Sequence, residues 1–317
     1  MINPIEIFQM NNNISFVIPV FNSGPFLHDA LQSILEQIPD GIEIEIVIVD
    51  DMSTDLTTIK ILECVASWDH VLVIRSSQNG GPAKARNAGI RAASGRWIGF
   101  LDADDLLAPG TIKNRIEMMA AHPESRWLAG DILEIRAPGK MVHEAHFDTI
   151  KTQGTLIAPN TYVMRRPVNH MLDWDVLPVL GAMIIRRDVF DEIGLLGENL
   201  IYGEDIHFCL LLANCYDLYW FDQPGLYLRR YHESMTKDTF RGSCAMPDAS
   251  RLLLRDQTLR PYRKKLKWMH AANLRLRSSA HRQRGNRKLA LWSALEALWW
   301  TPNDMRNVKA IFSSFTA

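Results

Sequence analysis

Three carboxylates in four positions, Asp102, Asp104 and Asp105, directly follow a short apolar run at 97–101. A run of that length suits a buried parallel strand, which puts the acids at its carboxyl end. Ligands of open α/β sheets bind in the crevice beyond those ends. Alternation along an extended backbone turns Asp102 and Asp104 to one side, where both can face one cation. Mg²⁺ or Mn²⁺ takes such carboxylates and keeps positions for substrate phosphates. The chemistry these residues suggest is metal-assisted handling of a phosphorylated ligand. A polar turn closing a strand is the plain alternative, because Asp is common in turns.

The elements that must position these acids are legible upstream. Strand-like runs occupy 14–20, 42–49, 71–74 and 97–101. Leu27, Leu31, Ile34 and Leu35 recur at helical spacing, with Asn22 or Ser23 as the cap and Pro25 in the first turn. Ile59, Leu62, Val65 and Ala66 mark a second helix, and residues 82–93 a third that carries Lys84, Arg86 and Asn87. Strands alternating with helices predict a parallel sheet with right-handed crossovers. Asp50 and Asp51 end the second strand, so polar residues gather at successive carboxyl ends. Neither a Gly-x-Gly-x-x-Gly nor a Gly-x-x-x-x-Gly-Lys-Ser/Thr motif is present, which removes the usual support for a dinucleotide site or a P-loop.

The chain of 317 residues is long enough for one large domain plus an appendage. Its net charge of −1 conceals a sharp division. Residues 245–317 carry 15 Lys+Arg against 4 Asp+Glu, leaving 20 against 32 for the remainder. Such asymmetry points to an appendage made for an anionic surface or for the acidic body. The four cysteines lack zinc-type spacing and suit reduced thiols. No basic stretch precedes an apolar run at the amino terminus, and no window offers the 18 or so apolar residues of a spanning helix. The expectation is a cytoplasmic protein, with peripheral contact at the inner face of the membrane as an option.

Four ordered segments then carry a resemblance. They are Val-Ile-Pro-Val-Phe-Asn (17–22), Val-Asp-Asp-Met-Ser-Thr-Asp (49–55), Asn-Gly-Gly-Pro-Ala-Lys-Ala-Arg-Asn-Ala-Gly (79–89) and Phe-Leu-Asp-Ala-Asp-Asp (100–105). Together they resemble the nucleotide-sugar-binding half of a family 2 glycosyltransferase of the GT-A fold. Met52 departs from the family, which often has Gly there. The resemblance implies that Pro19 and Phe21 wall the nucleotide base and that Asp50 or Asp51 accepts from its ring N–H, which suits a UDP-sugar. It implies Arg86, and with it Lys84, at the diphosphate, Asp102 at the ribose or metal, and Asp104 on Mn²⁺ or Mg²⁺. A solvated helix face is the alternative for both bases.

Farther on, 111–121 predicts a helix, 127–135 a strand and 137–140 a turn. Residues 140–178 give no clear periodicity, and His143 and His146, lacking further ligands, are read as surface residues. Residues 181–194 resemble the family's strand and short helix beneath the acceptor site. Gly203-Glu204-Asp205 matches its catalytic carboxylate motif, which implies Asp205 as general base and Glu204 as its acceptor-binding neighbour. An acid-rich helix amino terminus is the structural alternative. Residues 226–236 resemble the segment that closes such sites, with His232 on the metal or diphosphate.

In the tail, Tyr262, Leu266, Met269 and Leu276 predict one helix face, interrupted by Asn273, and 288–300 predicts a second helix with Trp292, Trp299 and Trp300. Docking on the acidic body with the tryptophans buried is favoured slightly over an anionic membrane. Nucleic acid is not expected, since no reading motif accompanies the charge. The expected fold is α/β, a GT-A-like, mostly parallel sheet flanked by helices over 1–240, with a basic helical extension over 241–317. The expected function is inverting transfer from a nucleotide diphosphate sugar to a glycan or lipid-linked acceptor, in cell-surface polysaccharide assembly. A nucleotidyltransferase would want a Gly-rich basic loop after the first strand, where Phe21-Asn22-Ser23 stands. The other rival is an inactive glycosyltransferase-like module that binds membrane or partner through its tail.

Overall fold

The computed structural model describes residues 13–143, 148–176, 179–231 and 238–315. Strands β1 (Ile14–Val20), β2 (Ile44–Asp50), β3 (Val71–Arg75) and β4 (Trp97–Phe100) pair in parallel in the order β3-β2-β1-β4. β1, β2 and β4 are rich in branched and aromatic residues and buried along nearly their whole length, as a sheet covered on both faces requires. The crossovers are α1 (Phe26–Leu35), α2 (Leu56–Val65) and α3 (Pro82–Ala92). Leu27, Ala30, Leu31 and Ile34 form the buried stripe of α1. The expected Asn22 or Ser23 cap is not made: Pro25 occupies the cap position with no side-chain bond. Asp55 does cap α2, accepting from the Thr58 N–H at 2.8 Å. The chain runs outward from β1 to β3 and then returns to set β4 on the other side of β1. The switch point therefore lies between the carboxyl ends of β1 and β4, where ligands of such sheets bind.

Beyond β4 the sheet becomes mixed. It continues through β5 (Leu106–Leu107), α4 (Thr111–Ala121), β6 (Trp127–Ala137), β7 (Lys140–His143), α5 (Asp148–Gln153), β8 (Thr155–Ala158) and β9 (Thr161–Met164). After α6 (Val168–Leu172) come β10 (Met183–Arg186), α7 (Asp188–Ile193), α8 (Glu204–Cys215) and β11 (Leu218–Arg229). The order of the eleven-stranded sheet is β3-β2-β1-β4-β10-β6-β11-β9-β8, with β5 on β11 and β7 on β6. β10 runs antiparallel to both β4 and β6, while β6 and β11 are parallel. The described residues of 140–178, which gave no periodicity, hold only short elements.

Packing divides the chain into two compact units. The described parts of Met1–Pro167, Asp175–Leu196 and Cys215–His232 form one, which holds the whole sheet. The described parts of Val168–Trp174, Gly197–Asn214 and Glu233–Ala317 form the other. It contains α6, all but the last residue of α8, and α9 (Thr239–Arg255), α10 (Arg263–Gln283), α11 (Arg287–Trp300) and α12 (Met305–Ser313). The units thus cross the expected boundary at residue 240. Local contacts explain the grouping: Lys265 meets Asp173 at 2.5 Å, and a Cβ on Gly203 would press on Met246 and Ala249.

In α10 the buried residues include Leu266, Met269, His270, Asn273 and Leu274, whereas Leu276 is 55% exposed. The expected face through Leu276 is corrected, because α9 and α11 cover α10 on more than one side and polar residues line its inner surface. Ser278 donates to the Ala290 carbonyl at 2.7 Å, and Ser250 and His270 share a 2.7 Å hydrogen bond. Burial of the tail tryptophans is corrected for Trp292 and Trp299, which are exposed, while Trp300 is half-buried against Ala271, Leu274 and Ala297. Among the described residues no helix is long and apolar enough to cross a membrane. His146, His232 and the His143 side chain lie outside the described residues.

Candidate active site

The acids expected at the sheet's carboxyl ends are present there, but they do different things. Asp51 follows β2, and its N–H donates to the Val20 carbonyl at 2.7 Å. Both its carboxylate oxygens are taken by backbone: Oδ1 accepts from Gly80 N–H at 2.8 Å and Oδ2 from Gly81 N–H at 2.7 Å. This pair shapes the loop entering α3, where Gly81 at φ 84 leads into Pro82. Asp50, 4% exposed, accepts from Ser53 N–H at 2.9 Å through Oδ1, and Oδ2 bonds to nothing among the described residues. Of the two acids expected to receive a nucleobase N–H, Asp50 therefore retains an oxygen for it.

Asn22 clamps this rim. Its Oδ1 accepts from the N–H groups of Thr54 at 2.7 Å and Asp55 at 3.1 Å, while its own N–H donates to Ser53 Oγ at 2.9 Å. That is why it does not cap α1. Sequence reading gave Asn22 no such role, although a polar residue immediately after a buried strand was the available signal. Beside it, Pro19 is half-buried and Phe21 is 52% exposed.

From α3, Arg86 reaches the second cluster. It is 7% exposed and donates to Asp102 Oδ1 at 2.6 Å, so a solvated helix face does not describe it. Lys84 is exposed, as that alternative has it. Asn87, next to Arg86, trades two bonds with the Leu196 backbone at 2.8 and 3.0 Å, which fixes this turn of the helix.

The expected extended backbone after β4 gives way to a turn closed by Asp105 N–H on the Asp102 carbonyl at 3.0 Å. Exposure still alternates: Asp102 and Asp104 are half-exposed, Ala103 and Asp105 buried. Asp105 accepts from the Arg229 N–H at 2.8 Å, tying the turn to β11. Burial, with the charges of Asp104 and Asp102 beside it, pushes the Asp105 carboxyl well above the ordinary range. Arg229 is itself buried, donating to the Asp104 carbonyl at 3.3 Å and to Asp29 at 2.7 Å. Neither the inward turn of Asp105 nor this use of Arg229 is encoded in residue spacing.

Among the described residues no three His, Cys, Asp or Glu side chains gather as a metal cage. Asp102 and Asp104, two half-exposed carboxylates of which the first is paired with Arg86, have the chemistry a cation would need if it drew its other ligands from substrate phosphates and water. Mg²⁺ and Mn²⁺ fit that description.

Glu204 and Asp205 belong to the helical unit, where they open α8 after Gly203 at φ 79. Glu204 is 8% exposed, and Asp205 Oδ1 accepts from the Ile206 N–H at 2.7 Å. The Cys209 thiol one turn on is pushed up by burial first and by the Asp205 charge second.

Comparison with known proteins bears on both units. The sequence profile described as Glycosyl transferase family 2 matches residues 15–194. The minor teichoic acid biosynthesis protein GgaB of Bacillus subtilis is 35% identical over 114 residues, 36% of this chain and 13% of GgaB. The uncharacterized glycosyltransferase EpsJ of the same organism is 35% identical over 195 residues, 62% of this chain and 52% of EpsJ. The chain thus spans about an eighth of GgaB and about half of EpsJ. The crystal structure of S. aureus TarS 1-349 with UDP-GlcNAc superposes with a TM-score of 0.65 at 20% identity, covering 94% of this chain and 84% of that one. The likeness establishes the GT-A-like sheet with its helical carboxyl-terminal region.

Proposed function

The chain belongs to glycosyl transferase family 2, and from that premise we propose that it transfers a sugar from a UDP-sugar to an acceptor hydroxyl with inversion, in cell-surface polysaccharide assembly. The observation that carries the reading is the Arg86–Asp102 pair beside half-exposed Asp104, at the sheet's switch point. A GT-A-like neighbour that holds UDP-GlcNAc and a relative named for teichoic acid biosynthesis support the donor and the setting.

Asp50 Oδ2 accepts the nucleobase N–H, with Pro19 and Phe21 walling the ring. Asp51 acts at one remove, by holding the Gly80-Gly81 loop. Arg86 approaches the diphosphate, whose oxygens guanidinium suits, and exposed Lys84 adds charge at longer range. Asp102 and Asp104 would hold Mn²⁺ or Mg²⁺, with His232 as a further ligand, and the bound ion would supply positive charge to offset that of the departing diphosphate. Asp205 takes the proton of the acceptor hydroxyl as its oxygen bonds to the anomeric carbon and the carbon–diphosphate bond breaks. Glu204 orients that acceptor, a glycan or a lipid-linked sugar.

The test is release of nucleotide diphosphate from a panel of UDP- and GDP-sugars with Mn²⁺, for wild type, Asp104→Ala and Asp205→Asn. Both variants should lose about 10²–10⁴-fold in transfer, the usual worth of a positioned base or of charge stabilisation at a leaving group. Full transfer by Asp205→Asn would move the base elsewhere. A well-folded wild type that neither binds nor turns over any donor would leave only a binding module.

A further inference from the structure

The helical unit carries a surface that sugar transfer does not use. On α11, Lys288, Trp292, Leu295 and Trp299 fall at i, i+4, i+7 and i+11, which is one face of a helix. Trp292 is 72% exposed and Trp299 73%. On α12, Met305, Val308 and Phe312 form a similar face, with Met305 73% and Phe312 69% exposed and Lys309 beside them. These faces point outward because the opposite faces are already committed. Ala290, Ala294 and Ala297 of α11 are fully buried, and Trp300 stacks edge-on against buried His270 at 5.1 Å. Asn307 anchors α12 from within, donating to the Ala297 and Thr301 carbonyls at 3.1 and 2.8 Å. Large apolar residues left exposed along one face of each helix mark an interaction surface.

Charge selects the partner. Glu296 and Asp304 are the only acids in residues 257–315. Both are neutralised inside the unit: Glu296 by Arg251 and Arg277 at 2.7 Å each, and Asp304 by Arg275 at 3.1 Å and Arg306 at 2.8 Å. Exposed Arg284, Arg287, Lys288 and Lys309 are left as the rim. A second copy of this chain would set these bases against themselves across a two-fold axis. An anionic bilayer satisfies both features, with tryptophan at the headgroup level and bases on lipid phosphates.

We propose that α11 and α12 seat the protein on an anionic lipid surface, with Trp292, Trp299 and Phe312 in the interfacial layer and Lys288 and Lys309 at the headgroups. The docking is independent of donor chemistry.

Co-sedimentation of the full chain with phosphatidylcholine vesicles, with and without phosphatidylglycerol, tests it. Wild type should pellet with the anionic vesicles, far less with the neutral ones, and less as salt rises. The Trp292→Ser/Trp299→Ser and Lys288→Glu/Lys309→Glu pairs should each weaken binding by about tenfold or more, since each removes two interfacial anchors or basic contacts. Their Tm and nucleotide-sugar turnover in vesicle-free buffer should match wild type, which separates this failure from failure of the transferase reading. Undiminished pelleting by both variants would overturn the proposal. So would a wild type that ignores vesicles but forms a dimer in sedimentation velocity that the tryptophan pair dissolves, since that makes the occupant a second copy.

Discussion

The sheet unit and the helical unit manage charge in opposite directions. At the sheet's rim, Asp51 and Asp105 are spent on backbone N–H groups, whereas Asp50 keeps one oxygen unbonded among the described residues and Asp102 and Asp104 stand half-exposed. Two buried bases stand there: Arg86 is held by Asp102, and Arg229 meets the Asp104 carbonyl and Asp29. In the helical unit the acids Glu296 and Asp304 are consumed by arginines, and the surplus left at the surface is basic and aromatic. An acidic rim with its guanidiniums buried suits a phosphate that arrives with a cation. A basic, tryptophan-bearing face suits a phosphate surface met directly.

The comparison breaks most readily at Asp51, whose neighbour Asp50 has the same chemistry and a different task. Removing Asp51 strips charge-assisted bonds from two N–H groups, so Asp51→Ala should cost about 3 kcal/mol in urea unfolding. Donor affinity should fall with it, because the Gly80-Gly81 loop feeds α3 and Arg86. Asp50→Ala breaks one bond to Ser53 and should be the milder change in stability, while weakening uridine nucleotide binding at least as much. Equal stability losses would show that Asp51 is no more structural than its neighbour.

His270 sharpens the same contrast from the other unit. It is fully buried, its Nδ1 against Ser250 Oγ and its ring against Trp300, with Glu296 at 3.9 Å and Arg251 and Arg277 nearby. Burial above all lowers its pKa to about 4 from the ordinary 6.5, Arg251 adding to the shift and Glu296 opposing it. The unfolded chain therefore binds the extra proton between those values, and stability present above pH 6.5 is lost as pH falls toward 4. Going from pH 7.5 to 4.5 should cost wild type on the order of 2 kcal/mol more than His270→Gln, measured on the helical transition in urea. Identical pH profiles would remove His270 from the account.

What the sequence discloses follows the same division. β1 to β4 and α4 emerge within two residues of their expected ends, because each is a compact apolar run or stripe bounded by polar or turn-forming residues. The acids at those ends were visible for the same reason. Their division of labour was not, because whether Asp50 or Asp51 meets the Gly80 and Gly81 amides depends on a loop 29 residues away. In α10 the stripe through Leu276 failed because burial there is decided by two neighbouring helices, and Asn273 and Ser278 are covered despite being polar. Residues 140–178 stayed opaque because strands of four residues and helices of five or six leave too few positions to display a period.

The smallest effect concerns Met52, which stands where the family often has Gly. It holds φ +70 between Asp51 and Ser53, with its side chain half in solvent. An L-residue there carries a steric penalty of roughly 1–2 kcal/mol. Glycine removes that penalty but costs about 0.5–1 kcal/mol in unfolded-chain entropy. Met52→Gly should therefore stabilise by only about 0.5 kcal/mol, the difference between the two. Met52→Val, branched at Cβ, should destabilise instead, since bulky β-branched residues fit positive φ least well. Because Ser53 N–H bonds Asp50 and Ser53 Oγ receives Asn22 N–H, strain at Met52 is borne by the clamp that orients Asp50. Uridine diphosphate affinity should then rank glycine, methionine, valine, in the same order as stability. A valine variant as stable as the glycine one would mean that the turn relaxes without strain, and the rim's geometry would not depend on it.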